Sequence, residues 1–390
     1  MPITTTPLLA LLIATSWACQ GCLGTINRPS AEGERDAQML AMLTEVPRPG
    51  SGAARQPVGG AREAAAGNTA AGNTAAGDTA GGVVFSFHAF GDSAWSDTHP
   101  AAPAYTGGFQ AAYRQFDPDS RFLGDLNYIN WETSVGKICT RFWAPSTAST
   151  YAFLSRPEEL GDATTLGFNL VGLANNHSFD CVASPEGNGP LQTLSHVAAL
   201  RNALASGQKF ALFSGVFGRL EEEGVTMDFP KSGVRIPVTF LSAYAGGDAQ
   251  HCRNILCLSA TPRFSAALER KAGLRVLTAH SWNAGSHAEL SRTLVQWLKN
   301  GWADVAIGTG PHVAEKVSIV DTPRGKRVLA TSLGNFIHPG LGAQPNNIVL
   351  QTTWRYEPKT STLTLLSAGS TVVSCNAERC TPGKSQAYRL

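Results

Sequence analysis

From Val83 onward the chain is written in short apolar runs separated by polar and glycine-rich interruptions. The first runs are Val83–Asp92 (VVFSFHAFGD), Asn127–Glu132 (NYINWE), Phe168–His177 (FNLVGLANNH), Phe210–Phe217 (FALFSGVF) and Ile236–Gly246 (IPVTFLSAYAG). Leu274–Trp282 (LRVLTAHSW), Ala303–Val313 (ADVAIGTGPHV), Arg327–Ile337 (RVLATSLGNFI) and Asn347–Glu357 (NIVLQTTWRYE) continue the series. Their length and their β-branched and aromatic content predict strands. Helical patterns fall between several of them. Leu290, Leu294, Trp297 and Leu298 lie on one face of a segment opened by Ser286-x-x-Glu289, which reads as a capping box. Ser155-Arg-Pro-Glu158 reads as a second helix start, and Leu191–Leu204 as another amphipathic helix. Strands alternating with helices predict a layered α/β core. Towards the C-terminus strands follow one another without helices, which predicts an antiparallel part there.

The N-terminus breaks this pattern. MPITTTPLLALLIATSWACQGC carries an apolar run, Leu8–Ala14, too short to span a bilayer, and small residues then lead to Cys19 and Cys22. Residues 1–22 are therefore expected to be an export signal, and a lipobox-like setting makes Cys19 or Cys22 the expected site of a lipid anchor. Residues 23–82 include the near-repeat AAGNTAAGNTAAGDTAGG, which has no large apolar side chain to bury and is expected to be a flexible tether. Residues 83–390 are expected to form one domain at the cell envelope or surface. Six further cysteines, Cys139, Cys181, Cys252, Cys257, Cys375 and Cys380, are an even number and suit an oxidising compartment. Loop-closure economy favours Cys252–Cys257 and Cys375–Cys380, leaving Cys139 with Cys181; the C-x4-C spacing is poor for zinc.

Composition removes some functions. A formal net charge of +2 with 15% charged residues points to no nucleic-acid partner and no polybasic membrane surface. Low charge together with 40 glycines indicates a loop-rich protein rather than a helical bundle.

The chemistry gathers where the predicted strands end. Asp92 ends the first run, Asn130 and Glu132 the second, and Asn175, Asn176, His177 and Asp180 follow the third. His280 closes LRVLTAH, His312 follows ADVAIGTGP, and Asn335 follows VLATSLG. The carboxyl ends of strands in open α/β sheets converge on one crevice, so these residues are expected to meet. Carboxylate, amide and imidazole suit a divalent cation such as Mn, Mg, Zn or Fe. Each residue alone also fits a turn, a helix cap or a hydrogen-bonded core position. Recurrence at so many strand ends is what favours a site. His287, in the first turn of the capped helix, is a substrate-contact candidate. His88 reads as a packed strand residue, and His99, His196, His251 and His338 have no supporting constellation.

Phe90–Asp92 (FGD), Ile129–Val135 (INWETSV), GLANNHSFD, His280–Gly285 (HSWNAG), ADVAIGTGPHV and Thr331–Ile337 (TSLGNFI) occur in an order that resembles the bacterial CapA family. That family is associated with poly-γ-glutamate and capsule synthesis, and its fold is similar to the calcineurin-like metallophosphoesterases. The resemblance spans Val83 to Ile337 and implies a layered metallophosphoesterase-like β-sandwich flanked by helices. It implies Asp92, Glu132, Asn176, His280 and His312 as ligands of one or two divalent metal ions, and His177 as the catalytic or substrate-polarising histidine. Asn130, Asn175, Asp180 and Asn335 would support the site or orient substrate. The implied partners are an anionic extracellular polymer and membrane-bound polymer synthase subunits. The implied activity is a metal-dependent hydrolase or transferase; the alternative is a non-catalytic anchoring or export component. Two departures from the family bear on that choice. Its G-x-H-P-H is Gly308-Thr309-Gly310-Pro311-His312 here, without the first histidine, and the segment after His280 is SWNAG rather than the family's His-aromatic-Gly-x-Glu spacing.

Overall fold

Backbone that is apolar on alternate or successive positions must hide both faces of a strand, and this chain does so between two sheets and two helical layers. The computed structural model describes residues 82–96, 107–144, 151–219, 225–247, 251–338, 344–376 and 379–390. The expected export signal, nearly all of the expected tether, and Cys19 and Cys22, either of which is the expected lipid-anchor site, lie outside these residues.

The first strands are β1 (Val83–Ser93), β2 (Leu126–Trp131), β3 (Ser134–Val135), β4 (Arg141–Phe142), β5 (Leu154–Ser155) and β6 (Leu170–Gly172). Next come β7 (Cys181–Ala183), β8 (Leu212–Ser214), β9 (Val225–Lys231), β10 (Val234–Ala245), β11 (Leu274–Ser281) and β12 (Val305–Thr309). The last are β13 (Val317–Thr322), β14 (Gly325–Ala330), β15 (Gln344–Glu357), β16 (Thr362–Cys375) and β17 (Cys380–Ala387). The α-helices are α1 (Gly108–Phe116), α2 (Pro157–Leu166), α3 (Gly189–Ser206), α4 (Ser265–Arg270) and α5 (Ala284–Lys299).

One sheet has the order β17-β16-β15-β1-β2-β6-β8, the other β13-β14-β12-β11-β10-β9. Each has a parallel run: β1-β2-β6-β8, reaching one edge of the first sheet, and β10-β11-β12-β14 in the second. Antiparallel β9 and β13 flank the second run on both sides, and beyond β1 in the first sheet β15, β16 and β17 form the expected antiparallel C-terminal part. Pro382 sits in β17, at the edge of its sheet, where a missing N–H is tolerated.

Side-chain alternation sorts the layers. Phe85, Phe87, Leu126 and Tyr128 of the first sheet pack against Val238, Phe240, Val276 and Ile307 of the second. On the outer face of the first sheet, Phe90, Ile129, Trp131 and Val171 cover Phe109, Tyr113, Leu160 and Val197 from α1, α2 and α3. On the outer face of the second, Leu241, Leu277 and Ala306 meet Leu290, Leu294, Trp297 and Leu298 of α5. The result is an α/β/β/α sandwich, so the expectation of a layered α/β fold holds. Fully buried parallel strands explain why the runs read as nearly continuous apolar stretches.

Two helix starts differ in detail from the sequence reading. The capping box of α5 is Asn283 with Ser286, not Ser286 with Glu289: Asn283 Oδ1 accepts from Ser286 N–H at 2.8 Å, and Ser286 Oγ accepts from Asn283 N–H at 3.1 Å. The helix begins three residues earlier than the S-x-x-E spacing suggests because Asn283 is itself a good cap. Helix α2 starts at Pro157, but Ser155 does not cap it; its hydroxyl donates to the Trp95 carbonyl instead. The three disulfides are the expected ones, Cys139–Cys181, Cys252–Cys257 and Cys375–Cys380.

At the amino end of the second sheet a buried charge cluster fixes strand positions. Asp304, just before β12, accepts from Arg275 Nε and Nη2 of β11, both at 2.9 Å, and lies 2.6 Å from Arg327 Nε of β14. Arg327 also lies over the Trp354 ring of β15, which reaches across to the first sheet. The strands so held deliver their opposite ends to the site.

Candidate metal centre

The carboxyl ends of β1, β2, β6, β11, β12 and β14 bring their polar residues to one place. At the end of β1, Gly91 lets the backbone approach Gly334 so closely that a Cβ would lie 1.8 Å from the Gly334 carbonyl oxygen. Asp92 N–H then donates to that carbonyl at 2.9 Å, and Phe336 N–H to the Asp92 carbonyl at 2.8 Å. This ties the loop after β14 to the end of β1 and turns the Asp92 side chain into the crevice. Glu132 follows β2 directly, its N–H donating to the Ser93 carbonyl at 2.7 Å.

Beyond β6 the chain does not continue as a strand to His177, as its apolar run suggests. Asn176–Phe179 is a turn of 3-10 helix capped by Asn175, whose Oδ1 accepts from His177 N–H at 3.1 Å. Asn175 Nδ2 donates to the Trp131 carbonyl at 2.9 Å, fastening this turn to the end of β2. Asn175 is thus fully employed in shaping the loop. Its work leaves Asn176 and His177 facing the carboxylates.

The core of the site is Asp92, Glu132 and His280, each buried and each offering a ligand atom within 4.8 Å of the other two. His280 Nε2 lies 2.7 Å from Asn176 Oδ1 and 3.4 Å from Glu132 Oε1. Its Nδ1 lies 3.0 Å from Thr309 Oγ1 and 3.4 Å from Asp92 Oδ1. Asn130 Nδ2 donates to Asp92 Oδ1 at 2.7 Å, while Asn130 Oδ1 is buried with no hydrogen-bond partner among the described residues. Burial pushes the Asp92 carboxyl up, but the charges of His280 and His312 and hydrogen bonds from His280 and Asn130 hold it at about 2. Burial and the Asp92 charge push Glu132 up; His312, His280 and a hydrogen bond from His338 bring it to about 2. Two ionised carboxylates buried side by side are costly unless positive charge faces them. The donor set, carboxylate oxygens with imidazole nitrogen and a neutral amide oxygen, fits a divalent cation.

His177 sits beside this core. Asp180 Oδ2 accepts from His177 Nδ1 at 2.6 Å and from Phe153 N–H at 2.6 Å, so Asp180 holds the imidazole in one orientation. The other nitrogen, Nε2, is 3.9 Å from Glu132 Oε1. His312 occupies the rim, with its side chain 34% exposed and its Nδ1 3.8 Å from Asp92 Oδ2. The same nitrogen is 2.7 Å from Asn335 Oδ1, so Asn335 orients it. His312 is a non-glycine residue at φ 59, a strained conformation that turns its ring towards the crevice. It stands outside the Asp92–Glu132–His280 group. His287 is farther out, between Ser281 Oγ at 3.1 Å and Glu315 Oε2 at 3.0 Å. With Asn176, Trp282 and His312 it lines an open cleft of about 410 Å³ next to the buried core.

Sequence reasoning missed His338. It is buried, and its Nε2 lies 3.3 Å from Glu132 Oε2. The available signal was its place three residues beyond Asn335, in the same loop after β14. His88, read as a packed residue, is one: its Nδ1 contacts the Phe122 carbonyl at 2.8 Å.

No protein-family model matches the sequence. No curated protein matches it either. Among solved structures it is similar to a phosphatase from Mycoplasma pneumoniae, at 13% identity and a TM-score of 0.40, over 79% of this chain and 94% of that one. It is also similar to the protein TT1561 of Thermus thermophilus, at 10% identity and a TM-score of 0.33, over 76% of this chain and 100% of that one.

Proposed function

We propose that the chain is a divalent-metal-dependent hydrolase of an anionic substrate, a phosphoester or a γ-glutamyl polymer. The single observation behind this reading is the buried convergence of Asp92, Glu132 and His280 beside an oriented His177. Asp92, Glu132 and His280 would hold the cation, with Asn176 Oδ1 as a neutral donor. A bound divalent cation supplies positive charge for the scissile oxygens and lowers the pKa of a water. His177, its Nδ1–H held by Asp180, would in its imidazolium form give the Nε2 proton to the leaving oxygen or nitrogen and become neutral, work that contributes typically about 10²–10⁴-fold. His312, oriented by Asn335, and His287 stand where an anionic substrate would enter. Trp282 lines the same cleft. The motif order that resembles CapA supports capsule or poly-γ-glutamate-type polymer as the substrate, met at the cell envelope by an exported, lipid-anchored protein working beside a membrane-bound synthase.

Gly310 favours a second reading, a non-catalytic component of polymer assembly, because one histidine of the family motif is missing. Turnover separates the two. The full chain, loaded with Mn²⁺, is expected to hydrolyse a generic phosphodiester or to shorten poly-γ-glutamate. His177→Ala should keep the metal and lose roughly 10²-fold or more in kcat. Asp92→Ala should lose the metal itself. A wild-type chain that takes up metal yet turns over neither substrate would leave the assembly reading standing, and one that takes up no metal would end the hydrolase reading.

A further inference from the structure

We propose that His338 is a metal ligand, holding a cation with Glu132 Oε2 next to the position formed by Asp92, His280 and Glu132 Oε1. This rests on the metal-centre reading above and assigns His338 the place left by the absent histidine at Gly310. The two oxygens of Glu132 face different imidazoles: Oε1 is 3.4 Å from His280 Nε2, and Oε2 is 3.3 Å from His338 Nε2. A carboxylate arranged in this way would have one oxygen for each of two neighbouring cations, the kind of pair found in two-metal hydrolytic sites.

The state of the His338 ring supports the assignment. His338 is 5% exposed; its Nε2 is paired with Glu132 Oε2, and its Nδ1 has no hydrogen-bond partner among the described residues. Among those residues the polar group that its ring nitrogens meet is this site carboxylate, which directs the buried ring at the centre. The ring is also firmly placed. Phe153 packs against it at 5.2 Å between centroids and against His177 at 4.7 Å, so one aromatic wall positions both. His312 lies 6.3 Å away on another side.

Position 310 cannot supply the ligand. Gly310 has φ 113, and a Cβ there would lie 1.8 Å from the Ser281 carbonyl oxygen. Its N–H already donates to Asp92 Oδ2 at 2.8 Å. The loop after β12 therefore serves the site through backbone, and the loop after β14 brings the imidazole.

The test is metal counting and titration calorimetry with Mn²⁺ on the full chain after chelator treatment. Wild type should bind about two equivalents. His338→Ala and His338→Gln should bind one, or bind the second about tenfold or more weakly. His196→Ala, whose ring pairs with Glu186 at 2.9 Å, should behave as wild type. Thermal melting of the metal-free variants checks their fold, and His338→Gln keeps a polar side chain beside Glu132 if the alanine variant does not fold. Unchanged stoichiometry and affinity in the His338 variants would overturn the assignment, making the ring a packing element of the Phe153 wall. A wild-type chain with one equivalent overturns it while leaving the hydrolase reading intact. A wild-type chain with none removes both.

Discussion

At the scale of single residues, the site is a problem of charge. Asp92 and Glu132 are each held at about 2, from ordinary values of 3.8 and 4.5. A carboxyl depressed in the folded chain stabilises it above the unfolded value and loses that contribution as pH falls through the folded one. The metal-free protein is therefore expected to lose stability steadily between pH 4.5 and about 2. Denaturant melts across that range should show a shallower loss for Asp92→Asn; equal slopes in the two proteins would count against charge as the cause. These residues were legible because each carboxylate or imidazole follows an apolar run directly, and the strand ends gather them. His338 was not legible in this way. Its neighbours Phe336 and Ile337 are core residues, so the histidine reads as the tail of a loop rather than the end of a strand. The roles of Asn175 and Asn176 also separate only in three dimensions, since one caps the turn and the other meets His280.

At the scale of elements, apolar runs marked nine strands and missed others for a physical reason. β16 has one solvated face and alternates apolar with polar residues, and β17 is exposed along nearly its whole length. Neither presents the doubly buried run that identifies β11 or β12. The cap of α5 was misplaced because Ser286 is part of the true capping box, as its fourth member rather than its first. What holds the central strands in position is the Arg275–Asp304–Arg327 cluster, all three side chains being 2% exposed or less. Removing its only carboxylate strands two buried guanidiniums. Asp304→Ala is expected to cost about 3–5 kcal/mol, read from the denaturant midpoint. A loss under about 1 kcal/mol would mean that backbone carbonyls satisfy both arginines.

At the scale of the whole molecule, the sandwich is completed by cross-links of unequal weight. Cys139–Cys181 closes a separation of 42 residues, and the other two pairs separations of 5. Chain entropy gives the first about 4 kcal/mol and each of the others about 2 kcal/mol. Cys139→Ser with Cys181→Ser should therefore lower the melting temperature more than Cys375→Ser with Cys380→Ser; the reverse order would place the stabilisation in local geometry. Cys181 follows Asp180 directly, so the long link also braces the turn that carries His177. The pairings could be read from spacing because short loops close at least cost. The four-layer order could not, since it depends on which side of each strand faces the second sheet.

Gly310 has one more consequence, and it concerns redesign. A histidine placed at that position meets the Ser281 carbonyl at once, so an imidazole cannot be added to the loop after β12 by one substitution alone. The end of β11, which carries His280, would have to move first, and the centre would be disturbed by the change meant to enlarge it.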